Sequence, residues 1–191
     1  MATYTVDLFM TLDGFGSGPV GYWGKGGPEL EERQARVFFG GEQETLVLGA
    51  GTYRLMAGFA AERGHDPAFD ALTARDKIVI SRTLKEPLDW ANTTLIAEDA
   101  VDAVQRLKVE SPLPLRSHGS ISMNKALLAA GLVDRLEVMV FPVITGESGS
   151  DPILSGLPDI DLELVDTQLL DGRLQQLSYI PTVRALPLGS D

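Results

Sequence analysis

Two short glycine-containing segments have the composition of sites that bind anions through the main chain. Residues 119–122 follow a short extended run and precede an apolar-periodic helix, and residues 49–52 follow the apolar run 45–48. At such corners the first backbone N–H groups of a helix are unpaired and point outward, where they bind phosphate. Two corners of this kind in one chain predict a phosphate-bearing ligand that bridges the ends of two strands.

Polar side chains at the corners could assist this binding. We expect Ser120 and Thr52 to be the N-cap residues of the two helices, because their hydroxyls can accept hydrogen bonds from amides of the first helical turn. Three cations lie near the corners or near a predicted strand end, namely Arg82, Arg116 and Lys125. These are the candidates to neutralise a bound phosphate.

Composition limits the class of protein. The chain has 191 residues, of which 44% are hydrophobic and 23% charged, as is typical of a globular domain. We expect a single domain over residues 1–181, followed by a C-terminal tail over residues 182–191. The apolar runs are shorter than the ~20 residues that a membrane helix needs, and the first residues alternate like a strand. A cytoplasmic protein is therefore expected.

The charged and metal-ligating residues exclude further classes. A net charge of −11 argues against binding to nucleic acid or to an anionic membrane, because phosphate backbones require clustered lysine and arginine. The chain has no cysteine and only two histidines, His65 and His118, so no metal site is predicted. The expected ligands are small molecules held locally.

Strands and helices alternate through the first three quarters of the chain. Strands are predicted over residues 4–12, 45–48, 77–81, 93–96 and 135–141, and helices over residues 29–39, 99–108 and the stretch after each corner. Two further strands, 161–170 and 173–180, flank Asp171-Gly172, a strong hairpin signal. This order predicts an α/β fold with a mainly parallel, twisted sheet flanked by helices and a C-terminal antiparallel hairpin at one edge.

Such a sheet would gather the candidate residues at one edge. Ligands of parallel sheets bind across the carboxyl ends of the strands, and residues 12–13, 49–52, 81–83 and 118–120 all follow predicted strands. This convergence is the physical basis for predicting a nucleotide site. The glycine-rich loop 15–28, which contains Tyr22 and Trp23, is either a lid over that site or a surface connection.

Five short motifs resemble those of a known family and occur in the family's order. They are Met10-Thr11-Leu12-Asp13-Gly14, Leu48-Gly49-Ala50-Gly51-Thr52-Tyr53, Lys77-Ile78-Val79-Ile80-Ser81-Arg82-Thr83-Leu84, Gly119-Ser120, and Gly131-Leu132-Val133-Asp134 followed by Pro142 and Gly146. From the first strand through Tyr179 the chain resembles the reductase domain of the bacterial bifunctional riboflavin-biosynthesis deaminase-reductase, with its dihydrofolate-reductase-like fold. Because the deaminase half needs a zinc site with cysteine ligands, this cysteine-free chain would be a stand-alone reductase-like domain.

The resemblance implies that the cofactor is NADPH. It places the cofactor against the first-strand residue Leu12, the phosphate-binding residues Gly49, Gly51 and Thr52, the adenosine-side residues Ser81, Arg82 and Thr83, and the pyrophosphate-binding residues Gly119, Ser120, Ile121 and Ser122. Arg82 could form two hydrogen bonds with a 2′-phosphate. Ala50 replaces a basic residue that is common in the family at that corner, so the preference for NADPH over NADH stays open.

The implied reaction is hydride transfer from the nicotinamide to a polarised C=N or C=O carbon of a small heterocyclic substrate. The substrate would resemble that of 5-amino-6-(5-phosphoribosylamino)uracil reductase in riboflavin biosynthesis, or a pterin. Asp13 is the predicted catalytic residue because it ends the first strand, where the resemblance places the substrate and the nicotinamide. An aspartate before glycine is also a common turn former. His118 at a strand end is more typical of a structural hydrogen bond than of catalysis.

Other interpretations of the sequence stay open. The chain could be a nucleotide-binding protein without turnover, with a regulatory role, which would agree with Ala50 and with the lack of a clear acid. Alternatively, the loop with Tyr22 and Trp23 could admit a flavin or deazaflavin. A homodimer is also possible, through an exposed sheet edge formed by residues 135–141 and the late hairpin.

Overall fold

The protein alternates strands with helices over most of its length. The structure is a computed structural model that describes residues 1–17, 26–39, 43–63, 66–186 and 189, so Tyr22, Trp23 and His65 lie outside the described residues. The strands are β1 (Tyr4–Thr11), β2 (Phe15–Ser17), β3 (Thr45–Gly49), β4 (Lys77–Ile80), β5 (Thr93–Ile96), β6 (Leu115–Ser117), β7 (Arg135–Phe141), β8 (Ser150–Pro152), β9 (Ile160–Leu170) and β10 (Leu174–Val183). The α-helices are α1 (Pro28–Phe39), α2 (Ala50–Glu62), α3 (Pro67–Ala74), α4 (Ala100–Glu110) and α5 (Ile121–Ala129).

Eight of the strands form one sheet in the order β5-β4-β3-β6-β1-β7-β10-β9. The six strands from β5 to β7 pair in parallel, and β10 and β9 add antiparallel strands at one edge. The mainly parallel sheet with a C-terminal hairpin is thus confirmed. Strands β2 and β8 form a separate antiparallel pair.

Helices cover both faces of the sheet. Val138 of β7 packs in a cluster with residues of α4 and α5, whereas the next residue, Met139, packs with Leu30 of α1. Successive strand residues point to opposite faces, so α4 and α5 lie on one face and α1 on the other. A third cluster joins α2 and α3 to the sheet around the buried Trp90.

The hairpin turn follows the sequence signal. Asp171 and Gly172 both have positive φ, 52° and 65° respectively. An Asp-Gly pair tolerates this conformation because glycine has no Cβ and aspartate enters the left-handed region more readily than most residues. Strand β10 continues to Val183, beyond the predicted start of the tail at residue 182.

The prediction of an exposed sheet edge is confirmed for the late hairpin and wrong for residues 135–141. Residues 135–141 form β7, which lies between β1 and β10 rather than at an edge. The two edge strands are β5 and, in the hairpin, β9. Leu162, Leu164 and Leu169 of β9 are exposed, and a homodimer stays a prediction. Alternating hydrophobicity could not order the strands, because it reports only which faces of a strand are buried.

The helix caps also differ from prediction. Helix α2 begins at Ala50 with Gly49 as its N-cap, so Thr52 lies inside the first turn. Ser120 does occupy the N-cap of α5, but its hydroxyl makes no capping hydrogen bond and lies 3.2 Å from the hydroxyl of Ser122. The amides of both first turns are therefore left without a side-chain cap. Among the described residues, no helix is both long and apolar enough to cross a membrane.

Candidate functional site

The two glycine corners contact each other at the carboxyl ends of β3 and β6. The Gly49 amide donates a hydrogen bond to the Gly119 carbonyl at 2.9 Å. A Cβ at Gly49 would lie 2.8 Å from the backbone nitrogen of Ser120, and a Cβ at Gly119 would overlap the Thr52 hydroxyl. Gly119 also has a φ of 133°, which a side chain rarely permits. Glycine is therefore required at both positions for the corners to meet.

Two hollows open on either side of this contact. The larger has a volume of about 650 Å³ and the smaller about 360 Å³. Gly51, Ser120 and Ser122 line both of them. The hollows therefore form one groove, with the uncapped N-termini of α2 and α5 where they join.

The larger hollow receives most of the predicted phosphate-binding residues. Its predicted lining residues are Gly51, Thr52, Gly119, Ser120, Ile121 and Ser122. Apolar side chains of β1, α2 and the segment after β8 complete the wall, including Leu8, Leu55 and Ile153. The wall is thus apolar at one end and rich in main-chain amides at the other, as in sites that take a ring with a phosphate attached.

The smaller hollow receives part of the predicted adenosine site. Ser81 and Arg82 line it, together with Glu98, Asp99 and the start of α4. The Ser81 hydroxyl accepts hydrogen bonds from the amides of Thr83 and Leu84, both at 3.1 Å. Ser81 therefore shapes the local turn, and Thr83 does not line either hollow. The exposed Arg82 makes no hydrogen bond or ion pair with the described part of the chain.

The other two candidate cations are engaged by groups of the chain itself, although Lys125 also lines the larger hollow. Lys125 Nζ donates to the carbonyls of Pro152 and Ser155 at 2.7 and 2.6 Å, which holds the segment after β8 against α5. Arg116 is buried and donates to the carboxylates of Asp7 and Glu44. Of the three cations, Arg82 is therefore the one that lines a hollow and has no side-chain partner among the described residues, which leaves it available to a ligand phosphate.

A buried charge network lies at the floor of the larger hollow, and the sequence analysis did not predict it. Its centre is Asp7 of β1, whose side chain is only 1% exposed. Arg33 Nη2 donates to one carboxylate oxygen of Asp7 at 3.0 Å, and Arg116 Nη1 donates to the other at 2.9 Å. His118 Nδ1 lies 2.9 Å from that second oxygen. Arg116 also binds Glu44, which extends the network to the segment before β3.

The network shifts the pKa values of Asp7 and His118. Burial would raise the pKa of Asp7, but the hydrogen bond from His118 and the guanidinium groups of Arg116 and Arg33 hold that pKa well below its usual range. Burial lowers the pKa of His118, against the opposing effect of Asp7. Burial therefore favours the uncharged imidazole, whose Nδ1 lies 2.9 Å from the Asp7 carboxylate.

The Asn124 side chain brings a buried donor without a partner among the described residues to the groove. Asn124 of α5 lines the larger hollow and is 1% exposed. Its Oδ1 accepts a hydrogen bond from the Ser117 hydroxyl at 2.7 Å, but its Nδ2 has no hydrogen-bond partner among the described residues. Buried donors of this kind are rare in proteins, and a carbonyl or phosphate oxygen of a bound ligand would satisfy it.

Asp13 and Leu12 lie away from both hollows. The Asp13 carboxylate accepts hydrogen bonds from the amides of Gly146 at 2.8 Å and Thr145 at 3.1 Å. The Thr11 hydroxyl and these amides lower the pKa of Asp13 to about 2. Asp13 therefore tethers the loop after β7, and this placement does not favour its predicted catalytic role. Leu12 is 63% exposed and lines neither hollow.

Comparison with known proteins identifies the fold and the family. A family model described as the RibD C-terminal domain matches residues 2–175. The chain is 25% identical over 181 residues to the Bacillus subtilis (strain 168) protein YyaP, covering 91% of this chain and 92% of that protein.

Solved structures agree with this result. A crystal structure of a Shewanella sp. PV-4 protein assigned to riboflavin biosynthesis matches with a TM-score of 0.76 at 19% identity, covering 94% of this chain and 99% of that one. Dihydrofolate reductase from Enterococcus faecalis, complexed with NADP(H), matches with a TM-score of 0.61 at 15% identity, covering 94% and 96% of the two chains. These likenesses show that the fold is dihydrofolate-reductase-like.

Proposed function

Because the chain belongs to the RibD C-terminal domain family, we propose that it is an NADPH-dependent reductase of a small heterocyclic substrate. The substrate class is a ribosylamino-pyrimidine or a pterin. The family and its structural neighbours are reductases, which supports an oxidoreductase. One observation carries the proposal for this chain: the two hollows join at the uncapped first turns of α2 and α5.

The residues at the junction fit a dinucleotide. Gly51 is exposed, and a Cβ there would contact only Ser120, at 3.8 Å, so a ligand can approach the main chain closely. Anions bind well at such helix N-termini, where the amides are unpaired. The orphaned Nδ2 of Asn124 supplies a further donor inside the larger hollow. We assign the pyrophosphate to the junction, the adenosine half to the smaller hollow and the nicotinamide half to the larger one.

The chain's own residues would orient the reactants and exclude water. A bound nicotinamide cofactor supplies the hydride. Leu8, Phe9 and Ile153 provide an apolar wall against which two flat rings can stack, and holding two reactants together in this way accounts for much of the rate enhancement in such reactions. The Asp7–His118 pair presents a fixed, uncharged imidazole at the floor. Asp13 is ionised at neutral pH, so we assign the proton to a water molecule rather than to this residue.

Titration followed by single-turnover kinetics tests this proposal. The purified protein is titrated with NADPH, and the complex is then mixed with a ribosylamino-pyrimidine, a pterin or a quinone while the absorbance of the reduced nicotinamide is followed. Saturable binding and oxidation by a heterocycle are expected. Binding without oxidation by any of these compounds would favour a nucleotide-binding protein without turnover.

The same preparation tests the flavin alternative. A visible absorbance band on the purified protein would indicate a bound flavin or deazaflavin. The absence of any saturable NADPH binding would contradict the proposed reductase function altogether.

A further inference from the structure

The smaller hollow carries two carboxylates beside its arginine. Glu98 and Asp99 follow β5 and line the same hollow as Arg82. The formal charge of these three lining side chains is therefore −1, from one cation and two anions. If the adenosine half of a dinucleotide lies here, as the proposed function requires, these carboxylates face the ribose.

The N-terminus of α4 does not offer a vacant anion site. Asp99 is its N-cap, and the Asp99 side chain accepts a hydrogen bond from the Val101 amide at 2.9 Å. The positive end of the helix thus already holds a carboxylate of the chain itself. A phosphate added to the ribose would have to compete with that carboxylate for the same amides.

Glu98 keeps hydrogen-bonding capacity for a ligand. Both of its oxygens accept from Arg106 Nη2 at 3.1 Å, but Glu98 and Arg106 remain 50% and 42% exposed. Each carboxylate oxygen can accept more than one hydrogen bond. A ribose diol, which donates two O–H groups, would therefore find an acceptor at Glu98. A 2′-phosphomonoester would find a like charge there instead.

From this geometry we infer that the protein binds NADH about as tightly as NADPH. Glu98 and Asp99 accept hydrogen bonds from the ribose hydroxyls of NADH and repel the 2′-phosphate of NADPH. Acidic side chains near an adenosine ribose select the unphosphorylated cofactor, and arginine selects the phosphorylated one. Here both kinds of residue face the same hollow. Arg82 then determines how tightly NADPH binds, while the two carboxylates keep the affinity for NADH comparable. The inference rests on the proposed function, because it requires a dinucleotide in the groove.

Dissociation constants for NADH and NADPH, measured on the same preparations at fixed ionic strength, test the inference. In the natural protein NADPH is expected to bind no more than about tenfold tighter than NADH. Replacing Glu98 by glutamine is expected to shift the ratio toward NADPH by roughly three- to twentyfold, because a like charge is removed from the 2′-phosphate. Asp99→Asn is expected to act in the same direction without loss of the helix cap, since asparagine caps as well as aspartate.

Glu110→Gln is the matched control. Glu110 Oε2 binds the same Arg106 at 3.3 Å, but Glu110 does not line the hollow. This variant removes one acidic partner of Arg106 and should leave the NADH-to-NADPH ratio unchanged.

The outcomes separate the inference from the proposed function. Tighter binding of NADPH by more than about tenfold in the natural protein overturns the inference and leaves the reductase proposal intact. An unchanged ratio in Glu98→Gln, or an equal shift in Glu110→Gln, also overturns it. Failure of both cofactors to bind would overturn the proposed function and the inference together.

Discussion

Gly51 allows stability and cofactor binding to be separated in a single substitution. It lies in the first turn of α2 and lines both hollows. A Cβ there would make one ordinary contact, 3.8 Å from the Cβ of Ser120, and its φ is not positive. Gly51→Ala should therefore fold normally. Alanine is favoured over glycine in a helix by up to about 1 kcal/mol, so the free energy of unfolding should rise slightly.

Binding of the dinucleotide should become weaker in Gly51→Ala, although the fold becomes more stable. The added methyl group would keep a phosphate from approaching the main chain at the junction. Loss of one hydrogen bond to a charged group costs about 1.5–3 kcal/mol. The dissociation constant of the dinucleotide should then increase about ten- to hundredfold.

Gly58→Ala in the same helix is the control. A Cβ at Gly58 would have no neighbour within 4 Å, and Gly58 lines neither hollow. Both variants are compared by urea denaturation and by titration with NADPH. Gly58→Ala should gain stability and bind like the natural protein. If Gly51→Ala folds and binds as tightly as Gly58→Ala, the pyrophosphate does not lie at the junction.

Three further predictions concern the groove floor, the loop after β7 and the core. Burial holds the pKa of His118 below its usual value, so on acidification the unfolded chain binds a proton at His118 before the folded chain does, and the free energy of unfolding should fall below about pH 6.5 by up to ~1.4 kcal/mol per pH unit. Denaturation across pH should show a smaller dependence on pH for His118→Gln, and an equal dependence would contradict the assignment. Asp13→Asn should speed amide exchange at Thr145 and Gly146 while the pH profile of kcat stays unchanged, since its pKa is about 2; loss of kcat in a folded variant would instead support a catalytic role. Lys77→Met should lower the free energy of unfolding, measured by urea denaturation, by about 1–3 kcal/mol, because buried Lys77 Nζ donates to three backbone carbonyls around the end of α3. A change below about 0.5 kcal/mol would refute this.

The convergence of the loop ends could be predicted because it depends on local signals and one topological rule. Gly49 and Gly51 come at the end of an apolar run and residues 119–122 after a short extended run. Both runs form parallel strands, and parallel strands place their carboxyl ends at one edge. The hairpin at Asp171-Gly172 could likewise be predicted from the local sequence. Arg82 lines the smaller hollow for the same reason, and its role in binding a cofactor stays a prediction.

The buried network could not be predicted in the same way. Asp7 and Arg116 bind each other although they are 109 residues apart in the chain, and Arg33 joins them from α1. A weak signal was present, because Asp7 is a single carboxylate in an otherwise apolar or uncharged strand. Such a residue needs a buried partner if both faces of the strand are covered. The order of the strands, which decides this, is a property of the whole fold.

The prediction that the Ser120 hydroxyl caps α5 is wrong for a related reason. Ser120 has the right position and residue type for a cap, but the close approach of Gly49 leaves its hydroxyl beside Ser122. Tertiary contact therefore overrides the local preference of serine at the start of a helix. The result is the uncapped helix end on which the proposed pyrophosphate site depends.

A crystal structure of the protein with a reduced nicotinamide dinucleotide tests the central claim most directly. The pyrophosphate oxygens should accept hydrogen bonds from main-chain amides of residues 49–52 and 119–122, with the adenosine ribose between Arg82 and Glu98. A dinucleotide bound outside the groove, or one whose pyrophosphate contacts neither glycine corner, would contradict it.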